Sequence, residues 1–426
     1  MVTYGGDEVN AIVMDMGSTS TRVGFAGEEM PKAIIPTSYG LDQAKNYYIG
    51  DTQLNTWRPN VEIKNPMQNG LIHDWDAVEQ IWNASFNDHL HIQPSEHPLL
   101  CTEPAWNTSE NREKLMELAF EKFDFPAFYV AKSAVMTAFS VGRATALVLD
   151  SGGSVTSAVP VYDGYVLKKG ILHQSIGGDL LSEQIKEHLK NDLQLNLTPP
   201  FKISSKKPVE AGQQPQIQLR DRPNTTKSFE DYHISKIIHE FKETTSQISE
   251  VPFDERLMAQ RPQKPFEFPD GYNNTFGAER YRVPEIMFNP NHISLPPVEQ
   301  GKENEKIPSL GISPNQLRHS VGVSRLVFNS ITSCDMDLRP LLFNNVIVTG
   351  GNTLFTGFTE RLSNELPMMI PGAKVKVHGA GNQIERKCSS WLGGSILASL
   401  GTFHQLWISK KEYEEVGSSI IETKCQ

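Results

Sequence analysis

The apolar positions of this chain fall in short runs that end on aspartate and glycine. Ala11 to Met14 is one such run, closed by Asp15, Gly17, Ser18 and Thr19, with Arg22 on the way back. Ala146 to Leu149 repeats the device and leads into Asp150, Ser151, Gly152, Gly153 and Ser154. A third run, within NVIVTGGNTL, ends on Gly350, Gly351 and Asn352. Brief apolar runs bounded by turn residues predict buried strands. A different period begins near Asp231, where Ile234, Ile237, Ile238, Phe241, Thr245 and Ile248 recur at three- and four-residue steps. That spacing predicts an amphipathic helix with Lys242 and Glu243 off its apolar stripe. Strand-like and helix-like segments alternate along the chain, which predicts an α/β architecture.

Two stretches interrupt this pattern, Lys202 to Lys227 and Asn289 to Gln316. Both are rich in proline, glutamine, lysine and glycine and poor in large apolar side chains, so they are expected to be loose surface insertions.

The paired hairpins carry the chemistry. Glycine lets a hairpin close tightly enough for successive N–H groups and hydroxyls to point at an anion, and an aspartate beside it can hold a cation's hydration shell. A lone strand followed by Asp-x-Gly is most often an ordinary hairpin. Two of them facing each other would grip a polyphosphate and its metal ion, with Asp15 and Asp150 acting through water. The third glycine turn is flat enough for a backbone to lie against a nucleoside.

Length and charge narrow the partners. At 426 residues the chain exceeds the size at which one core keeps growing, so two lobes or more are expected, and a cleft between lobes is a common ligand site. A formal charge of −10 argues against holding nucleic acid by the protein's own charge, so no direct sequence-specific DNA contact is expected. The four cysteines, at 101, 334, 388 and 425, form no close pair, which suits a reducing compartment. The opening MVTYGGDEVN lacks a basic stretch before an apolar one, and no run of about eighteen apolar residues occurs, so neither secretion nor a membrane contact is expected.

The two hairpins, together with VPVYDGY, FEFPDGYNNTFGAERYRVPEIMFNP, NSITSCDMDLRP and SSWLGGSILASLGTFHQLWISKKEYEE, resemble the actin and actin-related family along nearly the whole chain. Within it the chain looks most like the nuclear, Brahma-associated type found in chromatin-remodelling and histone-acetyltransferase assemblies. The resemblance implies an α/β, ribonuclease-H-like duplicated fold, with two lobes and four subdomains around a cleft that holds ATP with Mg2+ or Ca2+. Residues 1–30, 71–140 and 389–426 would make subdomain 1, and 31–70 subdomain 2. Residues 141–176 and 289–388 would make subdomain 3, and 177–288 subdomain 4.

Carried over by motif, Asp15, Gly17, Ser18, Thr19 and Arg22 match the first phosphate loop, where a lysine more often stands at the place of Arg22. Asp150, Ser151, Gly152 and Ser154 match the second. Lys242 and Glu243 match a pair flanking the nucleoside, Gly350, Gly351 and Asn352 the turn beneath it, and Lys387 a basic residue near the base. Taken alone, Lys242 and Glu243 fit a solvated helix face better than a site, and Arg22 fits a surface cation equally well.

The chain departs from the family where hydrolysis is concerned. The glutamine that orders the attacking water is Ser133 here, the usual histidine is Ser157, and a carboxylate of the second loop is replaced by Gly153. A serine hydroxyl is shorter and is no base near neutral pH. Positioning and general-base effects are each worth roughly 10²- to 10⁴-fold, so the expectation is ATP held as a structural ligand with little turnover. The segment from Pro36 to Gly50 is shorter than the loop actin uses to grip its filament neighbour, and the Asn289 to Gln316 stretch disturbs a second contact. Self-polymerisation is therefore not expected.

The resemblance further implies an apolar groove for a partner helix at Phe139, Tyr165, Leu392, Ile396 and Leu400, positions that their spacing alone would assign to core. The expected partners are a helix of a chromatin-remodelling ATPase, actin, other remodelling and acetyltransferase subunits and histones, in the nucleus. Two other readings are a slow cytoskeletal ATPase, which needs the missing water-positioning set, and a sugar kinase, which the long tail from Ser389 opposes.

Overall fold

A computed structural model of the chain describes residues 10–294, 304–307 and 310–426. Two six-stranded sheets organise it. In the first, β1 (Ile12–Met16) pairs antiparallel with β2 (Ser20–Phe25) and parallel with Leu99–Glu103. The order is completed by Ala127–Lys132 and Ile408–Ser409 on one side and Ala33–Pro36 on the other. In the second, β3 (Ala146–Ser151) pairs antiparallel with β4 (Thr156–Tyr162) and parallel with β5 (Val346–Thr349). The strand cores Ile12 to Met14, Ala146 to Leu149 and Val346 to Val348 are almost wholly buried, as expected for parallel strands covered on both faces.

Four helices place the functional positions. Helix α1 (Ser133–Ser140) follows the first sheet directly, and α2 (Gly178–Asp192) follows the second hairpin. Helix α3 (Lys227–Thr245) begins four residues earlier than the stripe from Asp231 suggests. It is capped by Thr226, whose hydroxyl accepts from the Phe229 amide. Ile237, Ile238 and Phe241 bury as the spacing predicts, whereas Ile248 lies beyond the helix end and joins the same core from the following turn.

Helix α4 (Gln383–Ser399) bends at Cys388, which leaves helical geometry with φ −117° and ψ 16°. Gly393 sits so close to the Met136 backbone that any side chain there would collide with it, so α4 and α1 are in backbone contact. Trp391 is buried beside them and its indole N–H donates to the Val13 carbonyl at 2.9 Å.

The expectation of two structureless insertions needs correcting. Residues 203–219 form a hairpin, Ile203–Lys207 against Gln216–Leu219, and the chain then runs straight into the α3 cap. Its exposed alternation of Lys and Ser with Gln explains why composition alone reads as loop: a two-stranded ribbon needs no buried apolar face to satisfy its backbone. Of the second stretch, residues 295–303 and 308–309 lie outside the described residues. Pro290–His292 forms a 3-10 turn, and Pro314–Arg318 a short helix with a Ser313/Gln316 capping box. The segment between Pro36 and Gly50 is a compact hairpin, Tyr39–Leu41 against Tyr47–Ile49, whose tip is closed by hydrogen bonds between Asp42 and Asn46.

Candidate nucleotide site

A cavity of about 750 Å³ opens between the tips of the two hairpins, and nearly every residue expected at the site lines it. Asp15, Gly17, Ser18, Thr19 and Arg22 line one wall, and Asp150, Gly152, Gly153 and Ser154 the facing one. Lys242, Glu243, Gly350, Gly351, Asn352 and Lys387 close the remaining side. Ser133 and Ser157 line it as well. Ser151 is the exception. It is fully buried behind the wall, its hydroxyl shared between Thr156 at 2.7 Å and Asn352 at 3.1 Å, so it braces the hairpin from outside the cavity.

Both hairpins have their carbonyls tied down from behind. In the first, the Gly17 carbonyl accepts from the Thr37 hydroxyl at 2.6 Å, that of Ser18 from Asn65 at 2.7 Å and that of Thr19 from the Thr37 amide at 3.1 Å. In the second, the amides of Gly178 and Asp179 at the start of α2 donate to the carbonyls of Gly152 and Gly153 at 3.0 and 2.8 Å. Asn352 adds a bond to the Gly152 carbonyl at 2.7 Å. With the oxygens satisfied, the amides of Ser18, Thr19, Gly153 and Ser154 have no backbone acceptor among the described residues. Unpaired N–H groups converging from two turns are the donor set that an oxyanion requires. The hairpins touch at their tips, where the Ser18 and Ser154 hydroxyls lie 2.6 Å apart.

Glycine is enforced here by contact. A side chain on Gly153 would run into the Thr19 hydroxyl, and one on Gly177 into the Gly153 carbonyl. A side chain on Gly350, which stands at φ +89°, would run into the Ser151 backbone and the Asp150 carboxylate. The position at which the family's acidic residue is missing is thus also the one where the opposite hairpin closes in.

The two aspartates differ sharply. Asp15 Oδ2 accepts from the Arg22 guanidinium at 2.7 Å, and Oδ1 accepts from Thr102 at 2.5 Å and Ser390 at 3.3 Å. Loss of solvent pulls the Arg22 pKa down, but the carboxylates of Asp15 and Asp150, with Cys388, hold it above its ordinary value. Arg22, matched to a phosphate-neutralising lysine, is therefore occupied as Asp15's partner. The Asp150 carboxylate accepts no hydrogen bond from any described residue. Withdrawal from solvent raises its pKa to about 6, Asp15 adding to the rise and Arg22 opposing it. A carboxylate in that state is the natural anchor for a hydrated cation, which would hold it ionised. No cluster of three or more His, Cys, Asp or Glu able to cage a metal occurs among the described residues.

At the far end, Lys242 corrects the helix-face reading. It is 4% exposed, and its ammonium donates to the Gly178 carbonyl at 2.7 Å and to Ser182 at 2.9 Å. Burial lowers its pKa to about 8 against the pull of Asp179 and Glu243. Glu243 is half-exposed at the cavity rim, where His239 and Lys387, the latter at 2.8 Å, hold its carboxyl down at about 2.

Sequence reasoning missed Thr102, Glu103, Trp106, Asp179, His239 and Ser390, all of which line the cavity. Asp179 had a legible signal, since IGGDLL repeats the pairing of glycines with an aspartate. Trp106 had none, because only the fold stacks it on His173, with ring centroids 4.4 Å apart and planes 13° from parallel.

A family model described as actin matches residues 6–426. The chain belongs to the actin family. Among similar curated proteins is Actin-related protein 4 of Schizosaccharomyces pombe, 41% identical over 432 residues that span 99% of both chains. Actin-related protein 4 of Yarrowia lipolytica is 40% identical, covering 99% of this chain and 97% of its own. Actin-related protein 4 of Arabidopsis thaliana is 37% identical over 99% of this chain and 100% of its own. The paired sheets and hairpins are the two-lobed actin-like fold.

Of the positions expected to form a groove, this actin-family chain leaves Phe139, Leu392 and Ile396 half-buried, Leu400 40% exposed and Tyr165 64% exposed. Leu400 stands one residue past the helix end, so the α4 face is formed by Leu392 and Ile396 alone.

Proposed function

We propose that this protein is a nuclear, non-polymerising actin-related subunit of chromatin-remodelling and histone-acetyltransferase assemblies that keeps ATP as a structural ligand. The observation that carries the nucleotide reading is the cradle of unpaired amides on Ser18, Thr19, Gly153 and Ser154, with the unpartnered Asp150 beside it. The hairpin amides would hold phosphate oxygens, Asp150 a hydrated Mg2+ or Ca2+, Gly350 and Gly351 the nucleoside face, and Lys242, Glu243 and Lys387 the sugar and base end. The bound nucleotide would supply charge and bulk that join the lobes. A ligand selective for the folded state contributes about 4 kcal/mol at a thousand times its dissociation constant.

Ser133 and Ser157 support storage over consumption, since neither hydroxyl can take a proton from water near neutral pH. Single-turnover measurement on purified protein tests this: nucleotide should be recovered largely as triphosphate after hours, and phosphate release within seconds would refute it. The variant Ser133→Gln with Ser157→His should raise release by on the order of 10²-fold.

The partly exposed apolar positions Phe139, Tyr165, Leu392, Ile396 and Leu400 would receive an amphipathic helix of a remodelling ATPase, with actin and further remodelling and acetyltransferase subunits, and histones, in the same assembly. Purification from nuclear extract should yield the protein with those partners, and Ile396→Asp should remove the ATPase subunit. Unchanged recovery with a folded variant would sink the groove.

A further inference from the structure

The ribbon of residues 203–219 is anchored at its base and at its turn, yet open along its second strand. At the base, Lys202 pairs with Glu230 on α3 at 2.7 Å, and the Arg220 amide donates to the Lys202 carbonyl at 2.7 Å. Further out, Lys206 pairs with Glu267 at 2.7 Å, the Gly212 amide donates to the Asn273 carbonyl at 2.8 Å, and the Asn273 side chain donates to the Val209 carbonyl at 3.0 Å. The ribbon is therefore a fixed arm. Its second strand, Gln216–Leu219, pairs with Ile203–Lys207 and with no other described strand.

Backbone groups in an antiparallel strand alternate in direction from one residue to the next. Since the Arg220 amide points inward to Lys202, those of Leu219 and Ile217 point outward, and no described group bonds to their amides or carbonyls. Leu219 is also 62% exposed, so an unpaired amide and an apolar side chain are presented together.

The outermost strands of the two large sheets are blunted. Ile408–Ser409, Tyr165–Val166 and Val377–His378 have two residues each, and Ala33–Pro36 ends on proline. Short length, proline and charge are the usual guards against unwanted pairing. Gln216–Leu219 offers four residues with neither proline nor charge.

Charge indicates what would pair with it. Residues 202–227 hold six basic residues against Glu210 and Asp221, in a chain of net charge −10. Lys202 and Lys206 are engaged by Glu230 and Glu267, and the Arg222 guanidinium lies 4.6 Å above the Trp57 ring. Lys207 and Arg220 are exposed and have no ion-pair partner among the described residues. They stand at the two ends of the open strand, Lys207 opposite Gln216 and Arg220 directly after Leu219.

We propose that Gln216–Leu219 takes an extended acidic segment of a partner protein as a third strand of the ribbon. The backbone groups of Ile217 and Leu219 supply the ladder, the Leu219 side chain an apolar contact, and Arg220 and Lys207 the preference for acid, since complementary charge steers encounter and rejects like-charged competitors. Such pairing requires neither a nucleotide in the cavity nor a helix at Leu392 and Ile396.

The test is fluorescence anisotropy on the full chain with a short labelled peptide that alternates valine and glutamate. Three competitors accompany it: the same peptide with lysine for glutamate, the acidic peptide N-methylated at every residue, and single-stranded DNA of matching length. The acidic peptide should bind at least about tenfold more tightly than each of the three. Leu219→Pro removes an outward amide and leaves the ribbon's own ladder intact, and should weaken binding about tenfold or more. Arg220→Glu alters no backbone group, so it keeps the test open where the proline variant unfolds, and it should abolish or reverse the preference for acid over base. Hydrogen exchange on the wild-type complex should show new protection at the amides of Ile217 and Leu219.

Equal binding of the acidic and N-methylated peptides would reduce the site to charge alone, and tighter binding of DNA would make it a nucleic-acid surface. A dimer that Leu219→Pro dissolves would make the edge a contact between copies of this chain. Any of these results, an acid preference untouched by Arg220→Glu, or no binding of the acidic peptide at about millimolar concentration would overturn the proposal.

Discussion

The two hairpins are built on the same register and do opposite things with their aspartates. In the first, Asp15 faces Arg22 across the β1/β2 ladder; in the second, Asp150 faces Ser157 across β3/β4. The seven-residue separation is the same in both. One exchange at the far end of the turn thus decides whether the acid is neutralised inside the protein or left for a ligand. The first hairpin is internally complete, with its carboxylate saturated by Arg22, Thr102 and Ser390. The second is incomplete, and its acid is held near a pKa of about 6 by lost solvent and a neighbouring negative charge. A duplicated fold need not have duplicated environments: Asp15 is tied into the protein by three side chains, and the Asp150 carboxylate is left without a side-chain partner among the described residues.

Removing the first aspartate should break this contrast most visibly. Asp15→Ala leaves the Arg22 guanidinium in low-dielectric surroundings without its partner, which should cost about 3–5 kcal/mol of stability by urea unfolding. Adding Arg22→Met should recover part of that loss.

Asp150→Asn should act in the opposite direction. A folded-state pKa raised from 3.8 toward 6 means that the native state binds the proton more tightly than the unfolded chain. Stability therefore falls as pH climbs through that window, and the ionised group is a burden above it. Without ligand, Asp150→Asn should stabilise the protein at pH 7.5 by on the order of 1–3 kcal/mol, and should change little at pH 3, where both states are protonated. The same variant should lose the stabilisation that Mg2+ adds to nucleotide. Calorimetric melts at the two pH values, with and without ligand, check both halves, and a destabilised ligand-free variant at pH 7.5 would sink the argument.

Gly153→Ala is expected to cost about 1–3 kcal/mol by forcing Thr19 away, and Gly153→Ala with Thr19→Ser should not restore it, since the contact is to the hydroxyl that serine keeps. The smallest effect belongs to the hairpin tips. A double-mutant cycle on Ser18→Ala and Ser154→Ala should give a coupling of about 0.5–1.5 kcal/mol without nucleotide, from the bond between them.

Much of the site could be read directly from the chain. Tight hairpins need glycine and small hydroxyl residues at fixed places, so Gly17, Ser18, Thr19, Gly152, Gly153 and Ser154 announce themselves. The apolar runs before them likewise name their strands. Lys242 stands in the cavity wall where it is expected, but its burial is not legible in the sequence, because an amphipathic stripe has two edges and only packing against α2 shows that this edge is buried too. Ser151 was misplaced because strand alternation turns it away from its neighbours on the hairpin. The segment from Lys202 to Lys227 reads as loop in the sequence because a ribbon stitched by backbone and hydroxyl bonds carries no apolar signature.

What the sequence by itself determined are the features that depend on one residue and its near neighbours: the strands, the paired turns, the α3 stripe, and the serines standing at 133 and 157. Tertiary structure alone decided which charges meet. Ion pairing and hydrogen bonding act over a few ångströms of space between residues far apart in the chain, as in Lys387 with Glu243 or Asp15 with Ser390, and no local pattern records those distances.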